Sequence, residues 1–323
     1  MCNLIEMPEH AVSASIQMAT NSRAGNVIST PSRASLFAIE GTADHFWRRS
    51  FQVQSFPCLR DLLTMVLNPK HLALIPLLLF VTSFAAAQPA SVQPCEELTF
   101  DGAKFIVCTA KPGHDDLRLF WKDAHGEPYR RFPAIAKSVA DEGRTLVFAM
   151  NAGMYLPDFS PIGLYVENGK ELRPANTKTM DGPPGKVPNF YKKPNGVFFV
   201  NDAHARILPT ADYLKRRPKT RFATQSGPML VIKNKLNPIF IAESTDRTRR
   251  SGVGVCEGGS IRFAISEDAV NFHDFARLFR DHLNCPNALF LDGGNGAGIY
   301  EPSMGRSDIS WHGGFGPVIG VVE

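Results

Sequence analysis

The stretch of this chain best suited to chemistry is an apolar run that ends in a carboxylate and two glycines, Asn287-Ala-Leu-Phe-Leu-Asp292-Gly293-Gly294. The apolar residues read as a buried strand and Asp-Gly-Gly as a sharp turn at its end. A strand end fixes the backbone of Asp292, and the glycines let the chain or a ligand approach closely. Asp-Gly is also a common turn pair, so the weight comes from three further segments. Phe148-Ala-Met-Asn151-Ala-Gly153-Met-Tyr155 runs from an apolar strand into a polar loop, and Gln225-Ser226-Gly227-Pro228 precedes another apolar strand. Arg249-Arg250-Ser251-Gly252-Val253-Gly254 puts two guanidinium groups at the mouth of a third. Taken singly, these are ordinary turns and a solvated arginine pair. Four such loops at strand ends in one domain match the way binding groups collect on a rigid scaffold.

Other chemistries fit less well. The chain has no Gly-x-x-x-x-Gly-Lys-Ser/Thr phosphate loop, no Gly-x-Ser-x-Gly elbow and no His-Glu-x-x-His. His273 and His282 lie too far apart on one helix to chelate together, and both read as surface residues. The glycines of 293–298 make a poor dinucleotide fingerprint, because no helical pattern follows them.

The elements that must position these loops are mostly strands. Residues 98–108 (bent at Asp101-Gly102), 117–121, 145–150, 229–232, 253–256, 261–265, 287–291 and 317–322 read as strands. Asn168-Gly169 between 162–167 and 171–173 signals a hairpin, and 196–200 with 206–208 a second one. Residues 133–142 read as a helix with Pro at its start, and 178–193, rich in Pro and Gly, as a long surface loop. The clearest helix is 271–284, where Phe272, Phe275, Ala276, Phe279 and Leu283 fall on one face and Asn271 can cap the start. The phenylalanine stripe reads as core. The fold class expected is α+β: a single domain with a mixed, mostly antiparallel sheet core and a few packed helices.

Residues 71–87 have an apolar centre and end Ala85-Ala86-Ala87, after a basic Lys70. That is the layout of a secretory signal peptide with an Ala-x-Ala cleavage site. Its apolar core is short and contains Pro76, so a stable membrane span is not expected after cleavage. Met65 lies just before it, so 65–87 is read as the signal peptide and 1–64 as an extension called from too early a start, with an internal signal anchor as the rival. Residues 88–323 then form one domain in a periplasmic or secreted protein. A net charge of +4 on the whole chain gives no argument for nucleic acid. The cysteines left are Cys95, Cys108, Cys256 and Cys285, which allow three pairings. Pairing 95–108 across a hairpin and 256–285 beside the Asp292 strand is favoured, and the spacing does not resemble a zinc site.

The segments Asn151-Ala-Gly153-Met-Tyr155, Ser160-Pro161-Ile-Gly163-Leu, Asn195-Gly196-Val-Phe, Gln225-Ser226-Gly227-Pro228, Arg250-Ser-Gly252-Val-Gly254 and Leu291-Asp292-Gly293-Gly294, in this order, resemble the phosphodiester glycosidase family, in particular its bacterial exported branch. The resemblance covers about residues 117–322. The family's usual pattern continues after Asp-Gly-Gly with one or two serines; here Asn295-Gly296-Ala297-Gly298 follows. The resemblance implies hydrolysis of a sugar-1-phosphodiester in glycan or exopolysaccharide processing. Such a bond breaks through an oxocarbenium-like state that a carboxylate can assist as nucleophile or as base for water. Asp292 is expected in that role, with Glu267 as second carboxylate and Arg250 as a planar fork for phosphate oxygens. Asn151, Gly153, Asn195, Gln225, Ser226, Gly227, Gly293 and Gly294 are the expected substrate-binding set. No cofactor is required, although Asp292 and Asn151 offer oxygen ligands to a divalent cation. The rival class is a non-catalytic envelope polysaccharide-binding protein of the same fold. Carboxyl groups of Asp292 and Glu267 within about 10 Å, across one cleft lined by Arg250, would favour the enzyme.

Overall fold

Near-continuous apolar runs along most central strands leave each sheet with two faces to bury, and the fold satisfies both. The computed structural model describes residues 93–183 and 185–323; the proposed extension and signal peptide lie outside them. In chain order the elements are β1 (Cys95–Phe100), β2 (Ala103–Ala110), β3 (Asp116–Phe120), α1 (Phe132–Asp141), β4 (Leu146–Asn151), β5 (Tyr165–Glu167), β6 (Lys170–Arg173), β7 (Gly196–Val200), β8 (Ala205–Pro209), α2 (Thr210–Arg216), β9 (Phe222–Ser226), β10 (Met229–Ile232), β11 (Lys235–Leu236), β12 (Arg250–Val255), β13 (Ile261–Ser266), α3 (Phe272–Arg277), β14 (Asn287–Gly293), β15 (Ile299–Glu301), β16 (Arg306–Ser307) and β17 (Val318–Val322).

The strands form three sheets, ordered β1-β2-β13-β12-β14-β10-β11, β16-β15-β4-β17-β3 and β6-β5-β9-β7-β8. Every named ladder among the described residues is antiparallel, so the α+β expectation holds and no parallel pairing is found there. One apolar interior is shared by all three sheets: Ile106, Phe263, Ile265, Leu289 and Leu291 of the first meet Phe148 and Ile319 of the second and Tyr165 and Phe198 of the third. Each outer face has its own helix. Phe275, Ala276 and Phe279 cover the seven-stranded sheet over Phe105, Val107, Ala264 and Phe290. Phe132, Ile135 and Val139 of α1 cover the second sheet, and Tyr213 of α2 the third.

Asn271 caps α3 as its sequence suggests, its Oδ1 accepting from the Asp274 N–H at 2.8 Å. The single helix expected over 271–284 is shorter, however: α3 ends at Arg277 and the chain widens into a π turn over Leu278–His282. The extra residue per turn delivers Cys285 to Cys256, and the bridges Cys95–Cys108 and Cys256–Cys285 are both present. The first spans a directly opposed pair of the β1–β2 hairpin. Among the described residues no helix is long and apolar enough to cross a membrane.

Candidate active site

Strand directions bring the four chemistry-bearing segments to one end of the fold, because Asn151, Ser226 and Gly293 end their strands there and Arg250 begins its own. Close backbone contacts lock them together. A Cβ on Gly153 would lie 2.3 Å from the Gln225 carbonyl oxygen, so only glycine lets the loop after β4 pass β9. The Gly153 N–H donates to Thr224 Oγ1 at 3.1 Å, and Ser226 Oγ donates to the Leu291 carbonyl at 2.8 Å.

At the centre of this end, Asp292 is half-buried at the tip of β14. Its backbone is pinned to Ser251, which both donates to the Asp292 carbonyl and accepts from its N–H. Its Oδ1 accepts from the Gly293 N–H at 2.8 Å. Burial pushes the carboxyl up to about 7, the Gly293 N–H offsetting this only in part, and no cation among the described residues holds it down. Gly296 packs flat against the carboxylate: a Cβ there would lie 2.3 Å from Oδ2. Gly296 therefore makes the room that the Asp292 carboxyl occupies.

Tyr155, quoted in the motif but not among the expected site residues, forms the neighbouring wall. Its hydroxyl donates to the Gly314 carbonyl at 3.0 Å. Burial first, then the charge of Asp292, push the phenol up to about 12 despite a hydrogen bond with Ser310. The loop that supplies Ser310 and Gly314 also carries His312, whose Nε2 lies 3.4 Å from Asn295 Nδ2 just past the Asp-Gly-Gly turn. Only the Tyr after Asn-x-Gly was visible in the sequence; the 308–316 loop gave no signal beyond its glycines.

Arg250 begins β12, but its side chain does not face the Asp292 loop. It pairs with Gly293, whereas its neighbour Ser251 pairs with Asp292. Adjacent strand residues point to opposite faces, so the guanidinium lies on the α3 side, 3.8 Å from the Phe272 ring centroid and only 1 % exposed. Burial pulls it down to about 10, with Asp246 partly compensating. Arg249 is the guanidinium on the Asp292 loop: its Nη1 donates to Ala297 O at 3.5 Å and its Nη2 pairs with Glu267 at 3.1 Å and Asp308 at 2.8 Å.

Glu267 leaves the end of β13 two residues beyond Ile265, which faces Ser251, which in turn faces Asp292. Two strand spacings and the two-residue offset put the backbones of Glu267 and Asp292 about 12 Å apart, and Arg250, on the α3 face, does not line the space between them. Glu267 is clamped by Arg306 as well as Arg249.

The polar residues expected to meet sugar hydroxyls are instead buried and bonded to the scaffold. Asn151 accepts from the Gly298 N–H and donates to the Ala152 carbonyl. Gln225 has its amide full: Oε1 accepts from Leu164 and Asn176 N–H, and Nε2 donates to Asn176 O and Thr210 Oγ1. Asn195 donates to Phe190 O. Gly227 lets that asparagine approach, since its Cβ would lie 2.6 Å from Asn195 Cβ. These residues shape the site from behind. Asn151 Oδ1, one of the two oxygens open to a divalent cation, already accepts from the Gly298 N–H. Among the described residues, no group of three or more His, Cys, Asp or Glu is placed to hold a metal ion. A cavity of about 340 Å³ lined by His114, Asp116 and Arg221 lies at the other ends of the strands, away from all four motifs.

Residues 144–314 match the sequence profile of the phosphodiester glycosidase family. The chain belongs to that family. It is 33 % identical over 185 residues to the uncharacterized protein YigE of Escherichia coli strain K12, a match covering 57 % of this chain and 70 % of that protein. Its fold is similar to the catalytic domain of zebrafish N-acetylglucosamine-1-phosphodiester alpha-N-acetylglucosaminidase, auto-inhibited by its pro-peptide. The TM-score is 0.50 at 15 % identity, over 70 % of this chain and 81 % of that one. The profile match takes in Asn151, Gln225, Arg250 and Asp292 together with the loop up to Gly314.

Proposed function

We propose that this protein is an exported glycosidase that hydrolyses a sugar-1-phosphodiester, with glycan or exopolysaccharide in the cell envelope as its source of substrate. Asp292 carries the reading. A carboxyl held near 7 with no cation to neutralise it is costly to keep in a folded protein, and a surface that only binds sugar has no use for it. A base poised near neutral pH does. Asp292 as carboxylate takes a proton from water as that water attacks the anomeric carbon, and the phosphate monoester departs with the electron pair of the broken C–O bond. An anionic phosphate is a good leaving group, so the demand for a strong general acid is small. Glu267 is the second carboxylate of the site; pinned between Arg249 and Arg306, it holds two guanidinium groups at the rim on the Asp292 side. The two disulfides support a periplasmic or secreted location. The test is a panel of sugar-1-phosphodiesters assayed for free sugar. Release by the wild type that is lost in Asp292→Asn supports the reading. Tight polysaccharide binding with no release from any member would favour the binding protein.

A further inference from the structure

One cationic cluster is not used by this mechanism. Phe272 has one face covered by Phe240, stacked nearly parallel at 5.1 Å. The Arg250 guanidinium lies 3.8 Å from the ring centroid and the Lys192 ammonium 5.4 Å. Phe290 meets the same ring edge-on at 4.8 Å, so the two cations and two phenylalanines crowd around Phe272. Arg250 Nε donates to Val270 O at 2.8 Å and Nη2 to Asp246 O at 3.0 Å. Its Nη1 donates to nothing among the described residues, although the side chain is 1 % exposed. Lys192 is held over the ring by its bond to Asn189 Oδ1 at 2.7 Å. Asp246, the one carboxylate paired with Arg250 among the described residues, lies 3.5 Å from it and is 68 % exposed. Two cations, half or fully buried, thus share one loosely held anion.

We propose that Lys192 and Arg250 form an anion site that binds a phosphate group, with Nη1 of Arg250 and Nζ of Lys192 as its free donors. A phosphate offers several acceptor oxygens around one centre and can engage a guanidinium edge and an ammonium at once. Burial that lowers the Lys192 ammonium, with Arg250 adding to it against Asp246, is relieved when such an anion arrives. The site rests on this local geometry alone. Only the assignment of its phosphate to the substrate rests on the glycosidase reading.

The experiment is titration of the full chain with inorganic phosphate, followed by calorimetry and by thermal midpoint, with chloride at matched ionic strength as control. The wild type should bind phosphate saturably. Lys192→Met should weaken it by at least about tenfold, the effect of losing one charged contact. Lys186→Met, an exposed lysine of the same loop, should leave it unchanged. Arg250→Lys, which keeps the charge but loses the fork, should weaken it as well, and Lys192→Met keeps the test valid if that buried variant does not fold. Absence of phosphate binding, or binding equal in wild type and Lys192→Met, overturns the proposal. Given hydrolysis, competitive inhibition by phosphate assigns the site to the substrate's own phosphate, and non-competitive inhibition assigns it to free phosphate. Phosphate binding without any hydrolysis would sink the glycosidase reading and leave the site standing.

Discussion

Replacing Asp292 with asparagine should stabilise the protein at high pH while abolishing turnover. The carboxyl titrates near 7 in the fold against 3.8 as a free side chain, because burial disfavours its charge. Between those values the folded state holds a proton that the unfolded state has lost, so stability falls as pH rises and levels off above 7. The full penalty is about 4 kcal/mol at 1.36 kcal/mol per unit. At pH 5 less than half of it is present, and at pH 8 nearly all. Asparagine matches the side chain in size and has no charge to bury. Size alone would leave the melting temperature unchanged; burial of the charge changes that expectation. The gain of Asp292→Asn over wild type should therefore grow by about 2–3 kcal/mol from pH 5 to pH 8, on the order of 5–10 °C in melting temperature for a domain of this size. Thermal unfolding with the disulfides intact, run on both proteins across that range, reads it directly. A difference that stays constant with pH would show that Asp292 titrates normally and would remove the argument for a poised base.

Three further outcomes follow from the packing. Gly296→Ala places a Cβ 2.3 Å from Asp292 Oδ2; it should displace the carboxyl and lower kcat/KM by about 10²-fold, as small misplacements do, and wild-type kinetics would show that the carboxyl acts from another position. Gln225→Ala removes four hydrogen bonds in the interior. It should cost about 2–4 kcal/mol of stability in denaturant unfolding, and a loss in binding with no loss of stability would make Gln225 a substrate ligand after all. Cys256→Ser with Cys285→Ser opens a loop of 29 residues and should cost about 3.5 kcal/mol on the chain-entropy account, read from the same unfolding curves; equal stability would mean that the bridge does not form in the native protein.

Much of the scaffold was legible because its signals are local. Asp101-Gly102 and Asn168-Gly169 each supply the positive φ that their turns require, and the phenylalanine spacing of α3 marks the face that it buries. The strand β9 was missed because Gln225-Ser226-Gly227-Pro228 carries turn residues; its polar side chains are satisfied by backbone groups distant in sequence, which no window reveals. Helix α2 and the short strands β15 and β16 were missed for want of a clear period. The site was legible as a set of loops but not as a division of labour. Asn151, Gln225 and Ser226 have the donors and acceptors that sugars need, yet the fold uses them to hold itself. Arg249 and Arg250 are neighbours with the same chemistry, and only the register of β12 against β14 decides which faces α3. The position of Tyr155 beside Asp292 depends on a loop more than 150 residues away.

The central claim is that water attacks the sugar carbon at Asp292, not the phosphorus. Hydrolysis of a sugar-1-phosphodiester in water carrying heavy oxygen, with mass analysis of both products, tests it in one step. The account predicts the label in the released sugar alone, retained phosphate oxygens in the monoester, and neither product from Asp292→Asn. Label in the phosphate would contradict it, since that is the mark of P–O cleavage by a phosphodiesterase.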